Sequence, residues 1–223
     1  MNIRWGQVFC ALAALIGIAG SGRVEAGELQ AQINDDDGHP VADAVVALIP
    51  ADPAVLAAVA PSLWEPWQKG VIDQRDETFL PYVAIVAQGG AVVFRNNDTP
   101  HHHVYSFSPI KSFEFVLAPG ESSAPVVFDK PGVAAIGCNI HDQMIAYVYV
   151  AETPWVGLSD KSGQARFADL PAGAFTARIW HPLLRPGRQA PSQAITISDT
   201  PATLAATLAL LPSRHRDREH GLY

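Results

Sequence analysis

The stretch GCNIHDQM, residues 137–144, sets Cys138, His141 and Met144 at the spacing C-x2-H-x2-M. Upstream, VVFRNNDTPHHHVYSF, residues 92–107, carries three consecutive histidines, His101, His102 and His103. Taken singly, each of these residues reads as structural, since cysteine and methionine are common in cores. Taken together they form a donor set. Two imidazole nitrogens and a thiolate in a trigonal plane, with a weak thioether beyond, make a blue-copper, or type 1, site. Thiolate covalency favours copper over harder ions, imidazole suits both oxidation states, and the thioether helps hold the reduced ion. Three donors on one short loop, with the fourth on a neighbouring strand, limit rearrangement between the two states. That suits one-electron transfer.

The cysteine count sharpens this reading. The chain has two cysteines, Cys10 and Cys138. Cys10 lies in VFCALAALIGIAG, an apolar run preceded by Arg4 and followed by SGRVEA, the pattern of a secretory signal peptide. Cleavage is expected after Ala26, with Val24 at the −3 position. The apolar run is shorter than the roughly 20 residues of a spanning helix, so no membrane attachment is expected after cleavage. The mature protein then lies in the periplasm with Cys138 as its one thiol. An internal disulfide is excluded, and the thiol must be buried, paired with another chain or bound to something.

Removing residues 1–26 takes Arg4, Arg23 and Glu25 from 15 basic and 22 acidic side chains, leaving 13 and 21, a net of −8. So acidic a chain argues against nucleic-acid binding, which relies on Lys and Arg at phosphates. It favours a partner with a basic face.

The elements that must position the donors read as almost entirely β. Short runs of Val, Ile, Phe and Tyr alternate with Gly, Pro, Asn and Asp clusters, as in ELQAQI, VADAVVALI, YVAIVAQGGAVVFRNND, SFEFVLAPG, VAAIGC and MIAYVYV. Strands at this spacing predict a sandwich or barrel. NDDDGHP reads as a solvated hairpin turn between two of them, not a calcium loop. Ile33 stands where a first carboxylate is needed and Ala44 where a closing Glu is needed. In DPAVLAAVAPSLWEPWQKG a turn or two of helix is expected before Pro61 and Pro66 interrupt. His181 in IWHP reads as structural. The tail SRHRDREHGLY, residues 213–223 with His215 and His220, lacks an apolar face and is expected to be disordered.

Residues 71–150 resemble a cupredoxin, close to the plastocyanin and amicyanin group. The resemblance lies in FRNNDTPHHHVYSF, in GVAAIGCNIHDQMIAYVYV with its amicyanin-type C-x2-H-x2-M loop, and in the order of the segments between them. It implies a Greek-key β-sandwich holding one type 1 copper per chain, with Cys138, His141 and Met144 as ligands. The fourth is mapped onto His102, two residues before Val104, with His101 and His103 as alternatives. Strand alternation leaves this open: His102, Val104 and Ser106 share one face, His101, His103, Tyr105 and Phe107 the other, and the second set is the more apolar. The sequence also departs from the family, with His103 where an Asn following the ligand ties the two ligand loops together. That departure bears on the tuning of the site.

The flanks resemble a second fold. VADAVVALI after an Asp-Gly turn, and SDKSGQARFADLPAGAFTARIW, are similar to the two halves of a carboxypeptidase-regulatory-like or transthyretin-like β-sandwich. On this reading residues 27–50 and 151–212 build a smaller accessory sandwich, 51–70 form a linker with a short helix, and 71–150 are inserted between. Two independent successive pieces are the alternative.

The expected function is single-electron carriage between redox proteins, with a cytochrome c or dehydrogenase-type partner, and no enzymatic activity. A copper-binding, copper-delivery or structural β module is the alternative. A multicopper oxidase would need several His-x-His pairs and a His-Cys-His sequence, which the chain lacks.

Overall fold

The computed structural model describes residues 26–187 and 190–212; the expected export segment, residues 1–26, lies outside them except for Ala26, as does the charged tail from residue 213. The first strands are β1 (Ala26–Asp35) and β2 (Val45–Pro50). A connector with one helical turn, α1 (Pro53–Ala57), and a 3-10 segment (Pro61–Trp67) follows. Pro61 opens the second of these, where its missing N–H costs no hydrogen bond, and Pro66 lies within it. Next come β3 (Lys69–Arg75), β4 (Thr78–Leu80), β5 (Val83–Ala87), β6 (Ala91–Asn96), β7 (His102–Ser108) and β8 (Lys111–Leu117). They are followed by β9 (Val126–Val127), β10 (Gly132–Cys138), β11 (Ile145–Ala151) and β12 (Val156–Leu158). The last four are β13 (Gln164–Pro171), β14 (Gly173–Trp180), β15 (Ser192–Ile197) and β16 (Ala202–Leu208).

These strands form four sheets. Two of them, β13-β1-β16 and β12-β2-β14-β15, enclose a core that includes Leu29, Ile33, Leu48, Phe175, Ile179 and Leu208. The other two, β5-β11-β10-β7-β8 and β4-β3-β6-β9, enclose Ile72, Phe94, Val104, Phe128, Ile136 and Val148. β3 pairs with β6, and β5 with β11, in parallel, which no hairpin can achieve; the chain must cross between sheets. The architecture is an all-β sandwich.

That crossing explains one difference from the sequence reading. The NDDDGHP turn was expected to close a hairpin, yet β1 and β2 lie in different sheets, and only an isolated bridge joins Asn34 to Pro40. The Gly89-Gly90 and DLPAG turns likewise carry the chain from one sheet to another. Turn residues reverse the chain, but they do not say whether the second strand pairs with the first or packs across from it.

β2 and β5 are buried on both faces. Val46 and Leu48 point into the first core, while Val45 and Ala47, with Val156 of the neighbouring β12, meet Val83, Ile85 and Ala151 from the strands around the second. Ala84 and Val86 point into the second core. Their near-continuous apolar sequences, VVALI and VAIVA, follow from that double burial. At about 1.5–3 kcal/mol for each fully buried Val or Ile, this dry contact is a substantial part of what holds the two pairs of sheets together.

Candidate metal centre

The inward face of β7 carries His102, Val104 and Ser106, all fully buried, and the outward face carries Tyr105 and Phe107, the latter 71% exposed. The more apolar set thus faces out. Ser106 is tolerated inside because its hydroxyl donates to the Lys111 carbonyl (3.0 Å) and accepts from the Ser108 N–H (3.3 Å), closing the β7–β8 turn. Tyr105 is not wasted: its ring stacks on Phe107 and covers Gly137, where an added Cβ would lie 2.7 Å from the ring. A side chain at 137, beside Cys138, would have to displace that ring.

β10 delivers the cysteine. Cys138 pairs with Val104, two residues beyond His102 on the neighbouring strand. Past Cys138 the chain closes on itself. The Met144 N–H donates to the His141 carbonyl (3.0 Å), and the Cys138 N–H to the Met144 carbonyl (3.3 Å). The Asn139 N–H donates to the His103 carbonyl (3.0 Å), so the two donor-bearing segments are tied through the backbone at residue 103.

The result is a convergence of donors. Cys138 Sγ lies 3.7 Å from His102 Nδ1 and 3.9 Å from His141 Nδ1. The ligand atoms of the three residues all lie within 4.8 Å of one another, and the two imidazoles are 5.1 Å apart, inclined at 62°. Bonds of about 2.0 Å to nitrogen and about 2.3 Å to sulfur, set at trigonal angles, would separate N from S by roughly 3.7 Å. The spacing fits a bound transition-metal ion. Cys138 and Met144 are buried in one packed cluster, with Met144 2% exposed. His101 is exposed, and His103 turns outward to within 3.8 Å of Glu114.

The far nitrogens of both rings face carboxylates. His102 Nε2 lies 3.1 Å from Asp98 Oδ2, and His141 Nε2 lies 3.6 Å from Glu77 Oε1. A ligating histidine ordinarily gives its other N–H to such an acceptor, which sets the tautomer and turns the free lone pair toward the metal. Burial opposes ionisation of Asp98, but the Glu77 N–H, the His102 ring and the Thr99 N–H together hold its carboxyl below the ordinary value. The Asp98 loop is fixed in turn by Asn96. Its side chain donates to the Pro100 and Leu117 carbonyls (2.8 and 3.0 Å) and accepts from the Asp98 N–H (2.9 Å). Sequence reasoning missed both carboxylates. Asp98, four residues before His102, could have been found locally; Glu77 belongs to a distant turn with no sequence signal linking it to His141.

Two other groups singled out from the sequence, both among the described residues, are structural. His181 Nδ1 accepts from the Leu183 N–H (3.1 Å). Asp35, Asp37 and His39 stand close together, but Asp35 Oδ1 already accepts from the N–H groups of Asp37 (3.0 Å) and His39 (2.8 Å), as a solvated turn requires. Among the described residues no helix is long and apolar enough to cross a membrane.

No protein-family model and no curated protein matches the chain. Solved structures do. A purple cupredoxin from Nitrosopumilus maritimus is 21% identical over 37% of this chain and 99% of its own, with a TM-score of 0.33. Amicyanin from Paracoccus versutus is 17% identical over 46% of this chain and 90% of its own, with a TM-score of 0.34. A copper-containing nitrite reductase from Thermus scotoductus is 24% identical over 38% of this chain, with a TM-score of 0.35; the match spans 22% of the reductase. Each of these matches covers less than half of this chain.

Proposed function

We propose that this protein is an exported type 1 copper protein that carries single electrons between redox partners and transforms no substrate. The observation that supports this most is the approach of His102 Nδ1, Cys138 Sγ and His141 Nδ1 to one point, with each outer ring nitrogen against a carboxylate. His102, Cys138 and His141 would hold one copper ion, with Met144 as the weaker fourth donor. Copper, when bound, would supply a one-electron couple. The chain's part is to keep the donors in place. The β7–β10 pairing fixes His102 against Cys138, the Asn139–His103 backbone bond fixes the loop against the strand, and the surrounding apolar side chains exclude water.

His141 is the donor that reaches the surface, its side chain 20% exposed, and it is the proposed point of electron entry and exit. Glu77, Asp142 and Gln143 line a recess beside it, and Ile140 next to it is 54% exposed. This acidic rim around an apolar contact suits a redox protein with a basic face, of the cytochrome c or dehydrogenase type.

The test is addition of Cu(II) to the purified protein and to Cys138→Ser. An intense visible thiolate-to-copper band, saturating at one ion per chain and lost in the variant, is expected. Reversible one-electron cycling separates the carrier from a copper-delivery or structural module, and saturation above one ion per chain would point to an enzyme.

A further inference from the structure

We infer that Glu77 is a positioning residue for the surface ligand and selectively favours the oxidised ion, an inference that rests on the copper reading above. The residue is held in place with more care than a surface carboxylate needs. Asp76 and Glu77 form the two-residue turn between β3 and β4, and both have left-handed backbones, with φ of +50° and +54°. Neither is glycine, so the conformation is unfavourable by an amount of order 1 kcal/mol per residue, and it persists only where surrounding contacts enforce it. The enforcing contact comes from the loop before β7. The Glu77 N–H donates to Asp98 Oδ2 at 2.7 Å, the same oxygen that faces His102 Nε2 at 3.1 Å.

One carboxylate therefore serves both histidines. Asp98 meets His102 directly, and through the Glu77 backbone it also holds the Glu77 side chain over His141 Nε2. Isolated surface ion pairs contribute little because both side chains are free to move. Here the backbone of one partner is pinned, and the other partner is a ring attached to a loop closed by its own hydrogen bonds. A carboxylate set beside a ligand ring turns the ring's other nitrogen inward, as metal-site carboxylate–histidine pairs do. Its negative charge also stabilises the more positively charged of two oxidation states more strongly. Glu114 supplies an internal control: it stands at a similar distance, 3.8 Å, from His103, which faces away from the other donors.

The experiment compares the copper-loaded protein with Glu77→Gln and Glu114→Gln. Each is equilibrated with a soluble redox reference couple, and the oxidised fraction is read from the thiolate-to-copper band. In Glu77→Gln the oxidised-to-reduced ratio is expected to fall about tenfold, within the range a unit charge near the ion contributes between bulk water and a protein surface. Glu114→Gln should leave it unchanged. In the metal-free protein, 15N spectra of the His141 ring should show a redistribution of its tautomers in Glu77→Gln alone. An unchanged ratio in Glu77→Gln, or an equal shift in Glu114→Gln, overturns the inference. Absence of the band from the unsubstituted protein overturns the copper reading itself, so the two failures are distinguishable.

Discussion

The two sandwiches use buried polar side chains alike except at one residue. In the one around Leu29 and Phe175, buried hydroxyls staple backbone. Ser159 Oγ donates to the Val41 carbonyl (2.7 Å) and accepts from the Ala44 N–H (3.0 Å), and Thr153 Oγ1 donates to the Leu48 carbonyl (2.8 Å). In the one around Phe94, the buried polar residues Gln74, Asn96, His102 and Ser106 include one, His102, whose Nδ1 faces Cys138 and the second imidazole rather than backbone. A buried polar group spends its hydrogen bonds on the fold unless a site needs its lone pair. Where the fold is the only beneficiary, the partner is a main-chain group. Where a ligand is expected, the outer side of the group is satisfied by a carboxylate and the inner side is left facing other donors.

This contrast can be broken most forcefully at Phe175, which is 2% exposed and meets Trp155 edge-on at 5.6 Å. Phe175→Ala is expected to cost about 3–5 kcal/mol in urea unfolding, while the folded fraction keeps its copper band. Ser159→Ala removes the acceptor of the buried Ala44 N–H, and a loss of about 1–3 kcal/mol is expected, again with copper binding unchanged. Asp98→Asn should do the reverse. Copper affinity, measured by competition with a chelator, should fall about ten- to a hundredfold, with a smaller change in the stability of the metal-free protein. If Asp98→Asn unfolds the chain as readily as Phe175→Ala, the carboxylate belongs to the fold and the contrast fails.

The smallest effect is a dependence on alkaline pH at the contact between the sandwiches. Burial raises the phenols of Tyr82, Tyr147 and Tyr149, with Tyr147 adding to the effect at Tyr82 and Glu152 at Tyr149; the Tyr82 ring lies edge-on to Tyr147 at 5.5 Å. A phenol whose folded value exceeds its unfolded one favours the folded state fully below the unfolded value, and the advantage is lost as pH rises toward the folded value. Unfolding midpoints should therefore begin to fall above about pH 10. Tyr82→Phe should soften that fall.

How far the sequence alone reached differs between elements. The VVALI and VAIVA runs announced strands, but not that each would serve two interfaces, because periodicity reports burial and not what lies on either side. The Asp-Gly and Gly-Gly turns were legible as reversals, while the sheet each following strand would join was not. At β7 the apolar pattern favoured the wrong face. Tyr105 and Phe107 stack on each other on the outside, covering Gly137, and Ser106 is accommodated within by the Lys111 carbonyl.

The amino-acid sequence by itself determined the all-β character and the donor types, a thiolate, imidazoles and a thioether, with three of them brought onto one loop by their spacing. Those properties are local, carried by residue chemistry and by the short range over which turns and strands form. Tertiary structure decided which of three adjacent histidines faces Cys138, because one residue of strand register moves a side chain to the opposite face. It also decided which carboxylates stand behind the rings, because Asp98 and Glu77 come together only when the β3–β4 turn folds over the loop before β7.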